Sequence, residues 1–195
     1  VHALNNLAAI YARTSNVGKA IKELEKVRRL DPDYVVGLHS LGVTYAENGE
    51  YDKALALLSR VVELAPDHLG ARFQLGILHH NQARYEAAAE SLVAALSIDS
   101  TSAAVHYELG KTYHELGRRQ EALRHLTRAS AIDSTSVEAL YRQGQIWARL
   151  GEDDLADSAF ADFRRWRQRA RENPQVWRQV RLHKQALAVD PGSER

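Results

Sequence analysis

Apolar residues recur along this chain at helical spacing, in short segments that are separated by turn residues. Between residues 38 and 46 they follow the i, i+3, i+7, i+8 pattern of one helix face, at Leu38, Leu41, Tyr45 and Ala46. Asn48-Gly49 comes next, and both residues tolerate the left-handed backbone at a helix C-terminus. The pattern therefore predicts a helix that ends at this dipeptide and a second helix that ends before Pro66.

The same two-helix pattern returns every 34 residues, with a small residue, a ring three residues later and an alanine twelve residues later. The three columns are Ala8, Gly42, Gly76, Gly110 and Gly144; Tyr11, Tyr45, His79, Tyr113 and Trp147; and Ala20, Ala54, Ala88, Ala122 and Ala156. A small residue lets two helices approach closely, and the ring fills the space beside that contact. Columns that repeat in register indicate an architecture in which each unit buries its apolar face against its neighbours.

These columns resemble the tetratricopeptide repeat family. The family pattern W-x2-L-G-x2-Y…A-x3-F…P is present as Leu38-x2-Leu41-Gly42-x2-Tyr45, followed by Ala54-x3-Leu58 and Pro66. The resemblance implies an all-α, right-handed α-solenoid of helix-turn-helix repeats. Its five predicted repeats are residues 1–34, 35–68, 69–102, 103–136 and 137–170. Departures from the pattern, such as Ala8 for glycine and His79 for tyrosine, leave the register intact.

The fifth repeat leads into a basic extension at residues 171–195. Residues 161–195 carry nine Lys/Arg and four Asp/Glu, whereas residues 1–160 carry 17 and 21. The basic positions are Arg164, Arg165, Arg167, Arg169, Arg171, Arg178 and Arg181. They could contact nucleic acid or an anionic membrane, but a solvated helix face is the favoured interpretation. A capping helix is predicted at about 174–189, with apolar residues at Val176, Trp177, Val180 and Leu187.

The resemblance also implies a binding surface, because in this family the first helices of successive repeats line a concave groove that takes extended peptides or single helices. Carried over by register, the groove residues are Asn5, Asn6, His39, Val43, Phe73, Gln74, Ile77, His80, Tyr107, Lys111, His114, Tyr141, Gln145 and Arg149. The rings of Phe73, Tyr107 and Tyr141 are the expected anchors, because aromatic side chains bury a large area with few rotatable bonds. The alternative is that some of them pack against the neighbouring repeat.

Chaperone-binding members of the family hold the C-terminus of a peptide with a two-carboxylate clamp of Lys, Asn, Asn, Lys and Arg across three repeats. In the first three repeats of this chain, the equivalent positions hold Asn5, Ala9, Ser40, Gly70 and Gln74. When the frame is moved along by one or two repeats, only Arg142 occupies a matching position. Binding of heat-shock-chaperone tails is therefore disfavoured.

The composition argues against several kinds of chemistry. Cysteine is absent, which excludes disulfides, thiol nucleophiles and sulfur-ligated metals. Among the nine histidines, His79, His80 and His114 come nearest to a cluster, but no carboxylate completes a metal-ligand spacing. No catalytic triad order and no phosphate-binding glycine loop is present. We therefore predict no enzymatic activity, no metal and no cofactor.

The favoured function is a non-catalytic scaffold that binds a peptide segment or helix of another protein in the groove. One alternative is a structural subunit docked by its convex face or its basic end on a larger complex, and a less favoured one is nucleic-acid binding through residues 164–184. With 45% apolar residues and no uninterrupted apolar stretch of about 18–20 residues, the chain is expected to be soluble. Val1 already stands in helical register, which we interpret as an excised or processed segment of a longer product.

Overall fold

A computed structural model of the chain describes residues 1–14, 16–133 and 137–172. These residues form ten α-helices and no β-strand. The helices are α1 (His2–Arg13), α2 (Val17–Leu30), α3 (Val35–Glu47), α4 (Tyr51–Leu64), α5 (Leu69–Asn81), α6 (Tyr85–Ile98), α7 (Ala103–Glu115), α8 (Arg119–Ile132), α9 (Val137–Leu150) and α10 (Asp153–Glu172). The predicted all-α class is confirmed. The predicted capping helix at 174–189, together with Arg178 and Arg181, lies outside the described residues.

The helices recur with the predicted period of 34 residues. Odd-numbered helices from the second repeat onwards begin at Val35, Leu69, Ala103 and Val137. The turn inside a repeat contains a left-handed residue, which is glycine at Gly49, Gly117 and Gly151, with φ of 81°, 74° and 76°. Asn48, in contrast, is right-handed with φ of −82°, so glycine alone provides the left-handed backbone in the Asn48-Gly49 turn.

Ala83 occupies the same turn position, and its φ of 57° is unfavourable for a residue with a Cβ. We expect Ala83→Gly to raise the free energy of unfolding by about 1 kcal/mol, because glycine adopts this backbone without strain. The matched control is Gly117→Ala, at a position where no atom lies within 4 Å of the added Cβ and only the backbone is strained. We expect the free energy of unfolding of this control to fall by a similar amount. Urea unfolding followed by circular dichroism measures both variants. If the control is destabilised but Ala83→Gly is no more stable than the wild type, the backbone of Ala83 is not strained.

The chain forms two compact units, Val1–Ala83 and Arg84–Arg195. The first unit contains α1 to α5 and the second contains α6 to α10. In the first unit each helix from α1 to α4 packs on the helix that follows it, and α3 also contacts α1 and α5. In the second unit each helix from α6 to α9 likewise packs on its successor. No helix in the described part of the chain is long and apolar enough to cross a membrane.

The core of each unit is built from the predicted columns. The alanines of the second helices are inaccessible to solvent at Ala20, Ala54, Ala88 and Ala122, and almost so at Ala156. Leu24, Leu41 and Leu58 fill the first unit, and Leu109, Leu126 and Ile146 fill the second. Burying one such side chain contributes about 1.5–3 kcal/mol. Consecutive helices are held together mainly by these apolar contacts.

The small-residue column marks places where two helices approach closely. A Cβ added to Gly42 would lie 2.9 Å from Cγ of Leu58, and one added to Gly144 would lie 2.6 Å from the ring of Phe160. Both distances are too short for a carbon–carbon contact, so glycine is required for this spacing of the helices. The predicted reason for the column is therefore confirmed at these positions.

A serine side chain caps the start of α7. The side-chain oxygen of Ser102 accepts a hydrogen bond from the backbone N–H of Val105 at 3.4 Å. The equivalent Ser136 lies outside the described residues. Helix α5 begins in a similar way, because His68 Nδ1 accepts a hydrogen bond from the N–H of Ala71 at 3.1 Å.

Candidate functional site

The odd-numbered helices carry all the residues that were predicted to line a groove. The first unit holds eight of them, which we call the α1/α3/α5 surface: Asn5, Asn6, His39, Val43, Phe73, Gln74, Ile77 and His80. The second unit holds the other six, and with Arg142 they form what we call the α7/α9 surface: Tyr107, Lys111, His114, Tyr141, Arg142, Gln145 and Arg149.

The α1/α3/α5 surface is apolar and neutral in its central part. Val43, Phe73 and Ile77 are half-buried, so each combines packing inside the unit with some accessible surface. Asn6 is exposed, whereas Oδ1 of Asn5 is buried and accepts no hydrogen bond within the described part of the chain. Gln74 and His80 are also half-buried. This surface therefore offers a partner mainly aliphatic and aromatic contacts.

His39 does not contribute to that surface. Its side chain is only 6% exposed, and its ring packs against the ring of His68 with 4.7 Å between centroids. A Cβ added to Gly70 would lie 3.1 Å from Nε2 of His39, so the imidazole fills the space that this glycine leaves. The burial of His39 corrects the expectation that it faces a groove.

Tyr107 and Arg142 link α7 to α9 in the second unit. Nε of Arg142 donates a hydrogen bond to the hydroxyl oxygen of Tyr107 at 3.2 Å, and both side chains are half-buried. The tyrosine oxygen is uncharged, so the hydrogen bond orients the guanidinium without neutralising it. The remaining N–H groups of Arg142 stay available as donors.

His114 and Arg149 form a second link between the same two helices. Nη1 of Arg149 lies 3.3 Å from Nε2 of His114. Because a guanidinium can only donate, Nε2 of the imidazole must be the acceptor, and His114 is neutral in this contact. Burial lowers the pKa of His114, and Arg149, Arg142 and Arg119 lower it further against the opposing effect of Glu115.

Lys111 lies between these two links and is already neutralised. Its ammonium pairs with Oε2 of Glu108, one turn earlier on α7, at 2.5 Å. Both side chains are only 16% exposed, so this ion pair belongs to the wall of the surface. Lys111 is therefore less available to a partner than its position in the sequence suggested.

Tyr141 and Gln145 are the most accessible members of the α7/α9 surface besides Arg149. Tyr141 is 43% exposed and packs one side of its ring near Phe163 and Phe160, with 5.1 Å and 5.8 Å between centroids. Gln145 is exposed one turn further along α9. A ring that is fixed on one side and open on the other is typical of an interface anchor.

Arg142 stands in the same groove column as Asn6 and Gln74, although it is not among the groove residues selected from the sequence. Arg142 follows Tyr107 by 35 residues, and Arg149 follows His114 by the same 35 residues. Each arginine thus stands one repeat plus one residue after the neutral group that it contacts. The spacing alone could not reveal the contact, because it depends on the conformations of both side chains.

The described arginines of the predicted basic patch lie on α10. Arg164, Arg165, Arg167, Arg169 and Arg171 are all exposed. Nη2 of Arg165 pairs with Oδ1 of Asp162 at 2.9 Å, and the guanidinium of Arg167 lies 5.6 Å from the centroid of the Phe163 ring. Acidic residues occupy the first turn of α10 and arginines its last turn, which is the order that the helix dipole favours.

The histidines in the described part of the chain show no arrangement typical of a metal centre. Within residues 1–14, 16–133 and 137–172, no group of three or more His, Asp or Glu side chains lies close enough to hold an ion. His79 fills the ring position of its repeat and is half-buried, as predicted from the column.

Comparisons with known proteins agree with the geometry. Four family profiles, each described as tetratricopeptide repeat, match residues 1–34, 41–107, 81–143 and 138–165. A comparison with curated protein sequences gives no significant match. A crystal structure of MamA is similar over 85% of this chain and 96% of its own, with 23% identity and a TM-score of 0.80.

Two further solved structures show the same fold. MamA from Desulfovibrio magneticus RS-1, residues 41 to the end, matches 86% of this chain and 94% of its own, with 19% identity and a TM-score of 0.80. YrrB, described as a tetratricopeptide repeat protein with an unusual peptide-binding site, matches 91% and 90% at 15% identity and a TM-score of 0.72. The helices thus form a tetratricopeptide-type α-solenoid, and the chain belongs to the tetratricopeptide repeat family.

Proposed function

We propose that the chain is a non-catalytic scaffold that binds a peptide segment or a helix of another protein on the first helices of its repeats. The observation that carries this proposal is the α7/α9 surface, where the exposed ring of Tyr141 stands beside polar side chains. The hydrogen bonds of those side chains link α7 to α9 and leave further donors for a partner. The peptide-binding site of YrrB, which has the same fold, supports the proposal.

The contacts available to a partner come from side chains. The backbone N–H and C=O groups within α7 and α9 are paired inside each helix, so they cannot add a strand or hold a peptide backbone. Tyr107 and Tyr141 supply apolar area with a hydroxyl at the end, and Gln145 supplies a donor and an acceptor. The half-buried Phe73 and Ile77 of the α1/α3/α5 surface provide a second set of apolar contacts.

A displayed library of random peptides tests the proposal directly, because it offers the surface many candidate ligands at once. Peptides selected on the full chain are expected to bind at least tenfold more weakly to the Tyr107→Ala, Tyr141→Ala double variant, because anchoring rings dominate interface energies. Affinities are measured by fluorescence anisotropy with the labelled selected peptides. Tyr141 also packs against Phe160, so circular dichroism must show that the variant is folded.

Two further variants separate binding from stability. Gln145→Trp adds bulk at an exposed position, and it should weaken binding without changing the melting temperature. Gln120→Trp, which adds the same bulk at an exposed site on α8, is the matched control and should leave the affinity unchanged. If no selected peptide is sensitive to Gln145→Trp or to the double tyrosine variant, the proposed function is wrong. Docking by the convex face or the basic α10 then becomes the better description.

A further inference from the structure

Within the described part of the chain, the two arginines of the α7/α9 surface form no ion pair. Arg142 contacts the hydroxyl of Tyr107, and Arg149 contacts the neutral imidazole of His114. Among the described residues, no carboxylate lies within 4 Å of either guanidinium, although Glu115 and Glu138 are exposed on the same two helices. Both guanidinium groups are thus held in place by neutral acceptors.

Lys111, the third cation of the α7/α9 surface, differs from the two arginines. Lys111 and Glu108 neutralise each other within α7. The charges of Arg149, Arg142 and Arg119 lower the pKa of the His114 imidazole. The carboxylate of Glu115 raises it. Arg142 and Arg149 are therefore the cationic groups of this surface that form no ion pair among the described residues.

The spacing of the two arginines defines the ligand more closely. Arg142 and Arg149 lie seven residues apart on α9, which corresponds to about 10 Å along the helix axis. A peptide in the polyproline II conformation covers about the same distance in three residues, and its side chains at i and i+3 lie on one face because it has three residues per turn. Arginine is well suited to carboxylates, because its planar guanidinium can donate two parallel hydrogen bonds to one carboxylate.

We infer that the α7/α9 surface recognises an acidic segment of a partner protein, with two carboxylates at positions i and i+3 of a stretch in the polyproline II conformation, one for Arg142 and one for Arg149. This inference rests on the proposed function, since it specifies the ligand of the same surface. Gln145 lies between the two arginines along α9, and Tyr141 directly precedes the first, so apolar or amide side chains are expected between the two acids. Charge complementarity favours this partner over a basic or a neutral one.

The selected peptides provide the test. We expect them to be enriched in Asp or Glu pairs three residues apart, and to bind at least tenfold more weakly to the Arg142→Gln, Arg149→Gln double variant. Their affinity for the wild-type chain should fall as NaCl rises from about 50 to 300 mM. The charge-matched control is Arg124→Gln, Arg128→Gln on α8, which removes the same net charge from exposed positions outside this surface. It should change the affinity less than about threefold.

The possible outcomes separate the inference from the function. Peptides that depend on Tyr107 and Tyr141 but carry no acidic pairs, and bind the Arg142→Gln, Arg149→Gln variant normally, would overturn the inference and leave the proposed function standing. Equal losses in both double arginine variants would assign the effect to net charge and would also overturn it. If no peptide depends on this surface at all, the proposed function itself fails.

Discussion

Replacement of Gly110 by alanine is expected to lower the free energy of unfolding by about 2–3 kcal/mol. A Cβ at this position would lie 2.7 Å from Cγ of Leu126 and 3.1 Å from the carbonyl oxygen of Ala122. The first contact involves the branch point of a fully buried leucine and the second involves backbone, so neither atom can move away easily. Helix α7 must shift from α8, which disturbs the contacts of both helices.

Alanine is the better helix former, by about 1 kcal/mol relative to glycine. An increase in stability would therefore show that helix propensity outweighs crowding at Gly110. The matched control is Gly18→Ala in α2, where no atom lies within 4 Å of the added Cβ. Only the propensity gain operates there, so this variant should be unchanged or more stable by up to about 1 kcal/mol.

Tryptophan fluorescence during urea unfolding can measure the effect of Gly110→Ala. Trp147 and Trp166 belong to the second unit, which also contains Gly110, and the third tryptophan, Trp177, lies outside the described residues. Their fluorescence therefore reports on the unit that carries the substitution. Gly18→Ala lies in the first unit and is followed by circular dichroism. A midpoint for Gly110→Ala equal to that of the wild type would contradict the close approach of α7 and α8.

The sequence was sufficient to predict the all-α class, the period and the close approach at the small-residue column. Each of these depends on residues that repeat in register, and a contact that recurs leaves several copies of the same signal. The turn glycines at Gly49 and Gly117 were predictable for the same reason, because the same turn recurs with a left-handed residue in the second to fifth repeats.

The side-chain contacts of the candidate site were less predictable. Register assigned His39 to the surface, but the packing of its ring depends on Gly70, which belongs to the following repeat. Register also placed Arg142 at one position of an otherwise unmatched carboxylate clamp, whereas its link to Tyr107 depends on two side-chain conformations. Such contacts occur once in the chain, so repetition provides no second copy from which to infer them.

The pair of His106 and His125 is another such contact, and no repeated column points to it. The equivalent positions in the second repeat are Leu38 and Leu57, so two imidazoles replace two apolar side chains. Nδ1 of His106 lies 2.9 Å from Nδ1 of His125, and Nε2 of His106 lies 3.2 Å from the carbonyl oxygen of Ser100. The hydrogen bond between the two imidazoles offsets the free-energy cost of burying polar groups between α7 and α8.

Only one proton fits between the two Nδ1 atoms. Nε2 of His106 must donate to Ser100, so its Nδ1 is the acceptor in the neutral ring, and Nδ1 of His125 is the donor. If both rings were protonated, two N–H groups and two positive charges would face each other at that distance. Double protonation is therefore incompatible with the native packing of α7 on α8.

Burial and the surrounding charges together lower the pKa of both imidazoles, so they also disfavour double protonation. Burial is the main cause that lowers the pKa of His125 to about 4, and the charges of His106 and Arg124 lower it further, against Glu121. Burial also lowers the pKa of His106, and Arg128 adds to this, whereas Asp99 and the hydrogen bond to Ser100 oppose it. Tyr113 packs its ring against His125 without adding charge.

The native state should therefore lose stability on acidification, by at most about 2–3 kcal/mol from His125, because solvent reaches part of its ring and screens the effect. Its pKa is lower in the native than in the unfolded chain, so the unfolded chain binds more protons between about pH 6.5 and 4. The free energy of unfolding should fall through that window, as measured by urea titrations with tryptophan fluorescence at several pH values. His125→Asn keeps a donor near the position of Nδ1 but cannot titrate, so it should show a shallower loss than the wild type. Parallel losses in the two proteins would show that other groups cause the acid sensitivity.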